Sequence, residues 1–424
     1  MSTRNISINI IWTLIVLLVM DMYIYFAVRK SIQDHKWKLV FNAVYLGTVV
    51  LGYIGFFYLY SYFTYKPLHV ALAPNLSIGF FFSIMIVKIV MIFFFLFEDI
   101  FRFIELMVAT FKNIISSKKV KISGPGRRSF VRNTGLIVAA IPFSSMLYGI
   151  TKGKYDFRVN KVKLSFKNLP KAFEGFKIVQ ISDIHSGSFD SREAIIKGIE
   201  LVNSQGADLV LFTGDLVNND SREILPFLED FKELSAPYGI YSVLGNHDYG
   251  DYKQWGSPAE KEQNMELLYQ FQERMGFKLL NNENAMISKE GETIGIFGVE
   301  NWGKPPFPQR GDLDKALAGG EEVGFKILMS HDPTHWNKKV IDHPVHFDLT
   351  LSGHTHGMQF GVEIPGFSWS PIEYIYPQWA GLYKKKNQLL YVNRGFGFLG
   401  FPGRVGIWPE ITLIELTSKT QKNV

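Results

Sequence analysis

Gly245-Asn246-His247-Asp248 sets an amide, an imidazole and a carboxylate side by side, directly after the apolar run 240–244. Such a run reads as a buried strand, so these side chains fall on the turn that leaves a sheet. The placement recurs. Asp183 and His185 follow 176–181, Asp215 follows 209–213, His331 follows 325–330, and Gly353-His354-Thr355-His356 follows 347–352. Turns at the carboxyl ends of parallel strands share one edge of an open α/β sheet, where ligands bind. Oxygen and imidazole donors gathered there suit Mn, Fe or Zn rather than thiophilic metals.

The elements that must position these residues alternate. Segments 191–203 and 221–234 have helical spacing and lie between the first three strands, which implies parallel βαβ units. Residues 159–166 alternate polar and apolar and read as an opening edge strand. A further helix is expected over 258–275, with Ser257 as cap and Pro258 at its first position. Residues 285–288 and 293–299 suit a hairpin around Glu290-Gly291, and Pro333 suits another first helical position. Beyond 360, short strands and Gly/Pro turns run to a last strand at 410–416. Gly395-Phe396-Gly397-Phe398-Leu399-Gly400 has dinucleotide-site spacing, but Phe401-Pro402-Gly403 follows it instead of a helix. No acidic residue ends a second strand, so these glycines serve close backbone turns. His335, His343 and His346 follow no strand into a Gly-flanked turn, and are surface or structural.

Each of these short motifs alone is common in loops and caps. In order, Asp183-x-His185, Gly214-Asp215, Gly245-Asn246-His247-Asp248, His331 and Gly353-His354-x-His356 resemble the calcineurin-like metallophosphoesterase superfamily. The tail, 390–395 and 409–412, looks like its bacterial membrane-associated phosphodiesterase branch. That branch commonly has a second glycine where this chain has Met358, a departure bearing on pocket shape rather than on ligands. The resemblance implies an α/β fold, a four-layer β-sandwich flanked by helices. It also implies two divalent ions, one held by Asp183, His185 and His356, the other by Asn246, His331 and His354, with Asp215 bridging. Ions about 3.5–4 Å apart clamp a phosphate and activate a shared water, which suits hydrolysis of a phosphomonoester or phosphodiester. His247 would lie near the scissile phosphate as general acid or transition-state donor. Asp248 would orient it. The rival is a membrane sensor or scaffold whose metal-stabilised domain does not turn over.

The chain has 424 residues, a formal charge of +6 and no cysteine, which removes thiol nucleophiles, disulfides and thiolate metal sites. No basic stretch is interleaved with base-stacking aromatics, so nucleic acid is not an expected partner. Residues 1–150 read as a transmembrane region of about four helices and 151–424 as the catalytic domain. Spans 6–28, 39–63 and 76–97 each reach the ~20 residues a bilayer core needs, and 130–150 is a weaker fourth. Buried helices of a soluble protein are the bland alternative, which the packed aromatics of 93–97 oppose. Several spans in succession exclude a cleaved signal peptide.

Loop one carries Arg29, Lys30, Lys36 and Lys38, and loop three Lys112, Lys118, Lys119, Lys121, Arg127 and Arg128. Loop two carries only Lys66. The excess puts loops one and three in the cytoplasm and the catalytic domain on the outer side of the cytoplasmic membrane. Lys152, Lys154 and Arg158 pull the other way. Arg127-Arg128 has the form of a twin-arginine export signal, with positive-inside anchoring as the plainer reading. Asp21 and Lys88 interrupt the spans and are expected to pair in the bundle. Tethering favours a phospholipid or lipid-linked phosphate as substrate. Phe367, Trp369, Tyr374, Tyr376, Trp379 and Tyr383, followed by Lys384-Lys385-Lys386, predict a lip at 369–386 against the bilayer, with core packing as the alternative.

Overall fold

A computed structural model describes residues 3–418 apart from 31, 33 and 116–124. Lys118, Lys119 and Lys121 of the third loop lie outside the described residues, as do the side chains of Arg127 and Arg128. The chain sorts into two units, Met1–Ser61 with Leu76–Tyr148, and Tyr62–Asn75 with Gly149–Val424.

The first unit is built on α1 (Thr3–Arg29), α2 (His35–Tyr65), α3 (Leu72–Ile115) and α4 (Pro125–Thr151), all long and apolar enough to cross a membrane. α3 runs well past the expected end at 97, because no glycine or proline interrupts 98–115. Ile24, Met91, Phe95 and Ala139 form its core. Beside them Lys88 Nζ lies 2.6 Å from Asp21 Oδ1, with both side chains buried. Tyr45 donates its hydroxyl to the Asp21 carbonyl at 2.8 Å and to Oδ1 at 3.2 Å. The expected pair is formed. Removing one partner strands a buried charge, so Asp21→Asn and Lys88→Met should each lower the melting temperature in detergent. The double variant should lose less than the sum, by a coupling of about 0.5–3 kcal/mol. Additive losses would remove the pair from the account.

Among the described residues the second unit contains fourteen strands, β1 (Arg158–Ser165), β2 (Lys177–Ile181), β3 (Leu209–Phe212), β4 (Ile240–Ser242), β5 (Phe277–Leu279), β6 (Glu283–Lys289), β7 (Glu292–Gly298), β8 (Lys326–Met329), β9 (Leu349–Ser352), β10 (Val362–Ile364), β11 (Phe367–Trp369), β12 (Gly381–Lys385), β13 (Gln388–Val392) and β14 (Glu410–Thr417). One sheet has the order β1-β14-β2-β3-β4-β5 and the other β12-β13-β9-β8-β7-β6. β2 to β5 are parallel, as are β7-β8-β9-β13. β1 lies at an edge, and β6 and β7 form the expected hairpin.

Alternation within the strands makes the layers. Ile178, Leu209 and Leu211 from one sheet meet Ile296, Ile327, Leu349 and Leu351 from the other. Their neighbours Val179, Val210 and Phe212 face outward, onto Ile195, Ile199 and Val202 of α5 (Arg192–Asn203). On the far side Phe297, Leu328 and Val392 pack against Trp336 and Val340. The result is helix, sheet, sheet, helix. Ser191 caps α5 by accepting the Ala194 N–H. The expected helix over 221–234 is instead a 3₁₀ stretch, Ser221–Phe227, running into α6 (Leu228–Phe231). Pro226 is the cause, since it has no N–H and clashes with the carbonyl one turn back. α7 (Pro258–Arg274) starts as expected, with Ser257 accepting from Glu260 N. Residues 395–400 form no helix, consistent with rejecting a dinucleotide site.

Candidate metal centre

Each candidate ligand sits just beyond a strand end, and the turns are tied to one another. Asp183 N donates to Gly214 O at 2.9 Å, His185 N to Asp215 O at 3.1 Å, and Gly353 N to His331 O at 2.9 Å. Asp183, His185, Asp215, His354 and His356 have left-handed backbones, with φ of +52°, +49°, +60°, +73° and +51°. A non-glycine residue there costs on the order of 1–3 kcal/mol, and persists where the surroundings over-determine it. Three of them follow β2 and β3 of one sheet and two follow β9 of the other, so the expected single edge is in fact the facing ends of two sheets, a site held open against its own strain. Two glycines of the motifs make room for carboxylates. A Cβ on Gly245 would lie 2.1 Å from Asp215 Oδ1, and one on Gly353 would lie 2.2 Å from Asp183 Oδ2.

The donors converge in two sets. Asp183, His185 and His356 form one, and Asp215, His331 and His354 the other, with the donor atoms of each set within 4.8 Å of one another. Asp215 Oδ2 stands between the sets, 3.5 Å from His185 Nε2 and 3.1 Å from His331 Nε2. The imidazoles are oriented from behind. His331 Nδ1 meets the Thr213 carbonyl at 2.7 Å and His185 Nδ1 meets Asn218 Oδ1 at 3.1 Å. Both acceptors fix the proton on Nδ1 and leave Nε2 as the donor.

Buried polar atoms test whether a cation fits. Asn246 Oδ1 and His331 Nε2 are buried with no hydrogen-bond partner among the described residues. The 3.1 Å approach of His331 Nε2 to Asp215 lacks hydrogen-bond geometry, so both atoms are left for another ligand. The field agrees. Burial disfavours a charged His331, yet the Asp215 and Asp183 carboxylates outweigh it and hold its pKa up at about 10. Burial lowers His185 well below its usual value, despite the attraction of Asp215. The pocket calls for positive charge between its carboxylates, and oxygen and imidazole donors match a divalent ion.

His247 lies beside this cluster. Its backbone N–H donates to Asp215 Oδ1 at 2.9 Å, and its Nδ1 meets the Asn218 carbonyl at 2.7 Å. Its ring stands 5.0 Å from that of His185 and 4.6 Å from that of Tyr252. Burial lowers its pKa. Asp248 does not orient His247 as expected. Its carboxylate accepts backbone N–H groups of Asp215, Leu216, Val217 and Gly245 at 2.8–3.3 Å. Burial pushes that carboxyl up to about 7. It braces the Asp215 and Asn246 turns, and the orienting contact to His247 comes from Asn218.

Asn218 was missed in sequence, although three polar residues in a row, Asn218-Asn219-Asp220, on the Asp215 turn were a signal. Glu223 holds that stretch by accepting the N–H groups of Asn218, Asn219 and Asp220. Tyr252, whose hydroxyl accepts from Asn246 Nδ2 at 2.9 Å, carried no motif. Neither did Tyr376, whose hydroxyl lies 2.8 Å from His354 Nε2. Asp332 Oδ2 lies 3.4 Å from the same nitrogen. His335 is buried, bonded to Ser330 and stacked on Trp302, and is structural. Met358 takes a φ of +54°, a conformation glycine adopts freely.

The expected lip is divided. Trp379 is only 6% exposed and packs with Ile372, Tyr376 and Ile407, so it and Tyr376 belong to a core. Tyr374 is 77% exposed, and Ile364, Phe367 and Ile375 are exposed too. Lys384, Lys385 and Lys386 are exposed.

Residues 4–154 match the family described as "Probable Calcineurin-like phosphoesterase, transmembrane domain", and residues 176–358 match "Calcineurin-like phosphoesterase". The zebrafish (Danio rerio) "Transmembrane protein with metallophosphoesterase domain" is 29% identical over 311 residues, covering 71% of this chain and 65% of that protein. The chain thus spans just under two thirds of that relative. The "Uncharacterized metallophosphoesterase YkuE" of Bacillus subtilis is 30% identical over 306 residues, covering 69% of this chain and 98% of that protein. Among solved structures, Haemophilus influenzae NAD nucleotidase aligns over 52% of this chain and 45% of its own, with 15% identity and a TM-score of 0.36. The chain therefore belongs to the calcineurin-like metallophosphoesterases, a family of metal-dependent phosphoric ester hydrolases, and carries a transmembrane domain ahead of its phosphoesterase domain.

Proposed function

We propose that this protein hydrolyses a phosphomonoester or phosphodiester of a membrane lipid or lipid-linked molecule, using two divalent ions of Mn, Fe or Zn. The observation that carries the hydrolytic reading is the convergence of two donor sets on the shared carboxylate of Asp215. Asp183, His185 and His356 would hold one ion, and Asn246, His331 and His354 the other. When bound, such a pair polarises a phosphoryl group and acidifies a water to near-neutral pH. The chain supplies the rest. Asn218 fixes the His247 proton on Nδ1, so Nε2 is the atom that takes or gives a proton at the reacting phosphate. Burial keeps the free imidazole neutral, and an arriving phosphate anion favours its protonation, as a donor to the leaving oxygen requires. Asp248 keeps the Asp215 turn from relaxing.

The charges of loops one and three favour a catalytic domain on the outer side of the cytoplasmic membrane. The lipid reading is supported by the hairpin β10–β11 and its neighbour Tyr374, which expose Ile364, Phe367 and Tyr374 close in sequence to Tyr376 at the metal centre. Lys384, exposed on β12, would add about 1 kcal/mol of attraction to an anionic surface. A lipid-extract screen with mass spectrometry of the products would identify the substrate. Phe367→Ser with Tyr374→Ser should slow hydrolysis of a vesicle-embedded substrate several-fold and spare a soluble aryl phosphate. Equal loss on both, or none on vesicles, would sink the lipid reading. An inert parent protein with Mn and aryl phosphate would favour a non-catalytic scaffold.

A further inference from the structure

Beside the second donor set lies a pocket of about 640 Å³, lined by Lys304, Pro305, Thr334, Lys338, Tyr376 and Lys385 among others. Its size falls within the ~300–1,000 Å³ of small-molecule sites. Three of its walls lead to one metal-site histidine. Lys304 and Pro305 precede Phe307, whose ring stands 4.8 Å from that of His354. Thr334 donates its N–H and its hydroxyl to Asp332 Oδ1, and Asp332 Oδ2 lies 3.4 Å from His354 Nε2. Tyr376 lines the pocket and places its hydroxyl 2.8 Å from the same nitrogen.

The charge of the pocket is one-sided. Lysines next in sequence are engaged, Lys386 with Asp342 and Lys339 over the Trp302 ring. Lys304 and Lys338 form no ion pair among the described residues, and Lys385 feels Asp342 only at longer range, the direct pair being made by Lys386. Unpaired cations around a concavity with apolar walls focus potential on an anion. Resting on the hydrolytic reading above, we propose that this pocket binds a second anionic group of the substrate. The preferred substrates then carry two anions, the scissile phosphate at the metal centre and a phosphate or carboxylate on the lysines. Ile375 and Pro377, which also line the pocket, would meet an apolar link between them.

The test compares hexane-1,6-diol bisphosphate with hexyl phosphate, using the full-length protein in detergent with Mn. Ion-assisted hydrogen bonds lead us to expect a KM about 10–100-fold lower for the bisphosphate. The triple variant Lys304→Gln, Lys338→Gln, Lys385→Gln should erase that advantage and leave kcat/KM for hexyl phosphate unchanged. The corresponding Lys→Arg triple should retain it. Equal KM values in the parent, or a Gln triple that alters neither substrate or both alike, would overturn the subsite. Hydrolysis of neither compound would defeat the catalytic reading instead. Calorimetric binding of the same pair then decides the subsite, equal affinities overturning it and a bisphosphate preference lost in the Gln triple upholding it.

Discussion

Replacing His247 with alanine should lower turnover by about 10²–10⁴-fold, the usual range for a general acid, and leave the metal content as it was. The expectation rests on where the ring stands. It touches no donor set through its nitrogens, its Nδ1 being committed to the Asn218 carbonyl. Its link to the cluster is the backbone N–H to Asp215, which alanine keeps. His247→Ala therefore removes a proton donor without removing a ligand. Loss of metal together with activity would make His247 a ligand or a strut instead. Asn218→Ala checks the same geometry from behind, because it keeps the carbonyl that orients His247 while removing the side chain behind His185.

Asp215→Asn should lower turnover and metal content together. Its Oδ2 faces histidines of both sets, and its Oδ1 also receives the His247 N–H. An amide has the shape of a carboxylate but not its charge, and one of its two ends is a donor. The loss in metal affinity should exceed the about 10–100-fold that follows from losing an outer partner of a ligand. Elemental analysis beside the rate measurement checks it. Full metal content with full activity would free Asp215 from the bridge.

The donor residues were legible in sequence because each follows a strand, but their meeting was not, since β2, β3 and β4 of one sheet and β8 and β9 of the other bring them together rather than one shared edge. The structure brings together Asp183, His185 and His356, and beside them Asp215, His331 and His354, while Asn246, expected in the second set, is marked there only by its unpartnered Oδ1. The layers were expected only through the family resemblance, because Ile178 and Val179 are both apolar and the tertiary fold alone decides which faces the other sheet and which a helix. The role of Asp248 was not legible. Adjacency to His247 suggested an orienting contact, but the backbone N–H groups that claim its carboxylate lie 31–33 residues earlier as well as at Gly245. Only the tertiary approach of two turns decides that. The aromatics after 360 failed for a related reason. Trp379 and Tyr374 are of similar type and close in sequence, yet one is buried and the other exposed. Aromatic character favours a core and a membrane surface equally, so composition could not divide them. Pro226 was readable in sequence, and the helix expected over it should have been shorter.

Metal stoichiometry tests the central claim most directly. Purified full-length protein and its His247→Ala variant, dialysed and submitted to elemental analysis, should each hold two divalent ions per chain, the variant with little turnover. Fewer than two ions in both proteins would contradict a dinuclear centre built on Asp215.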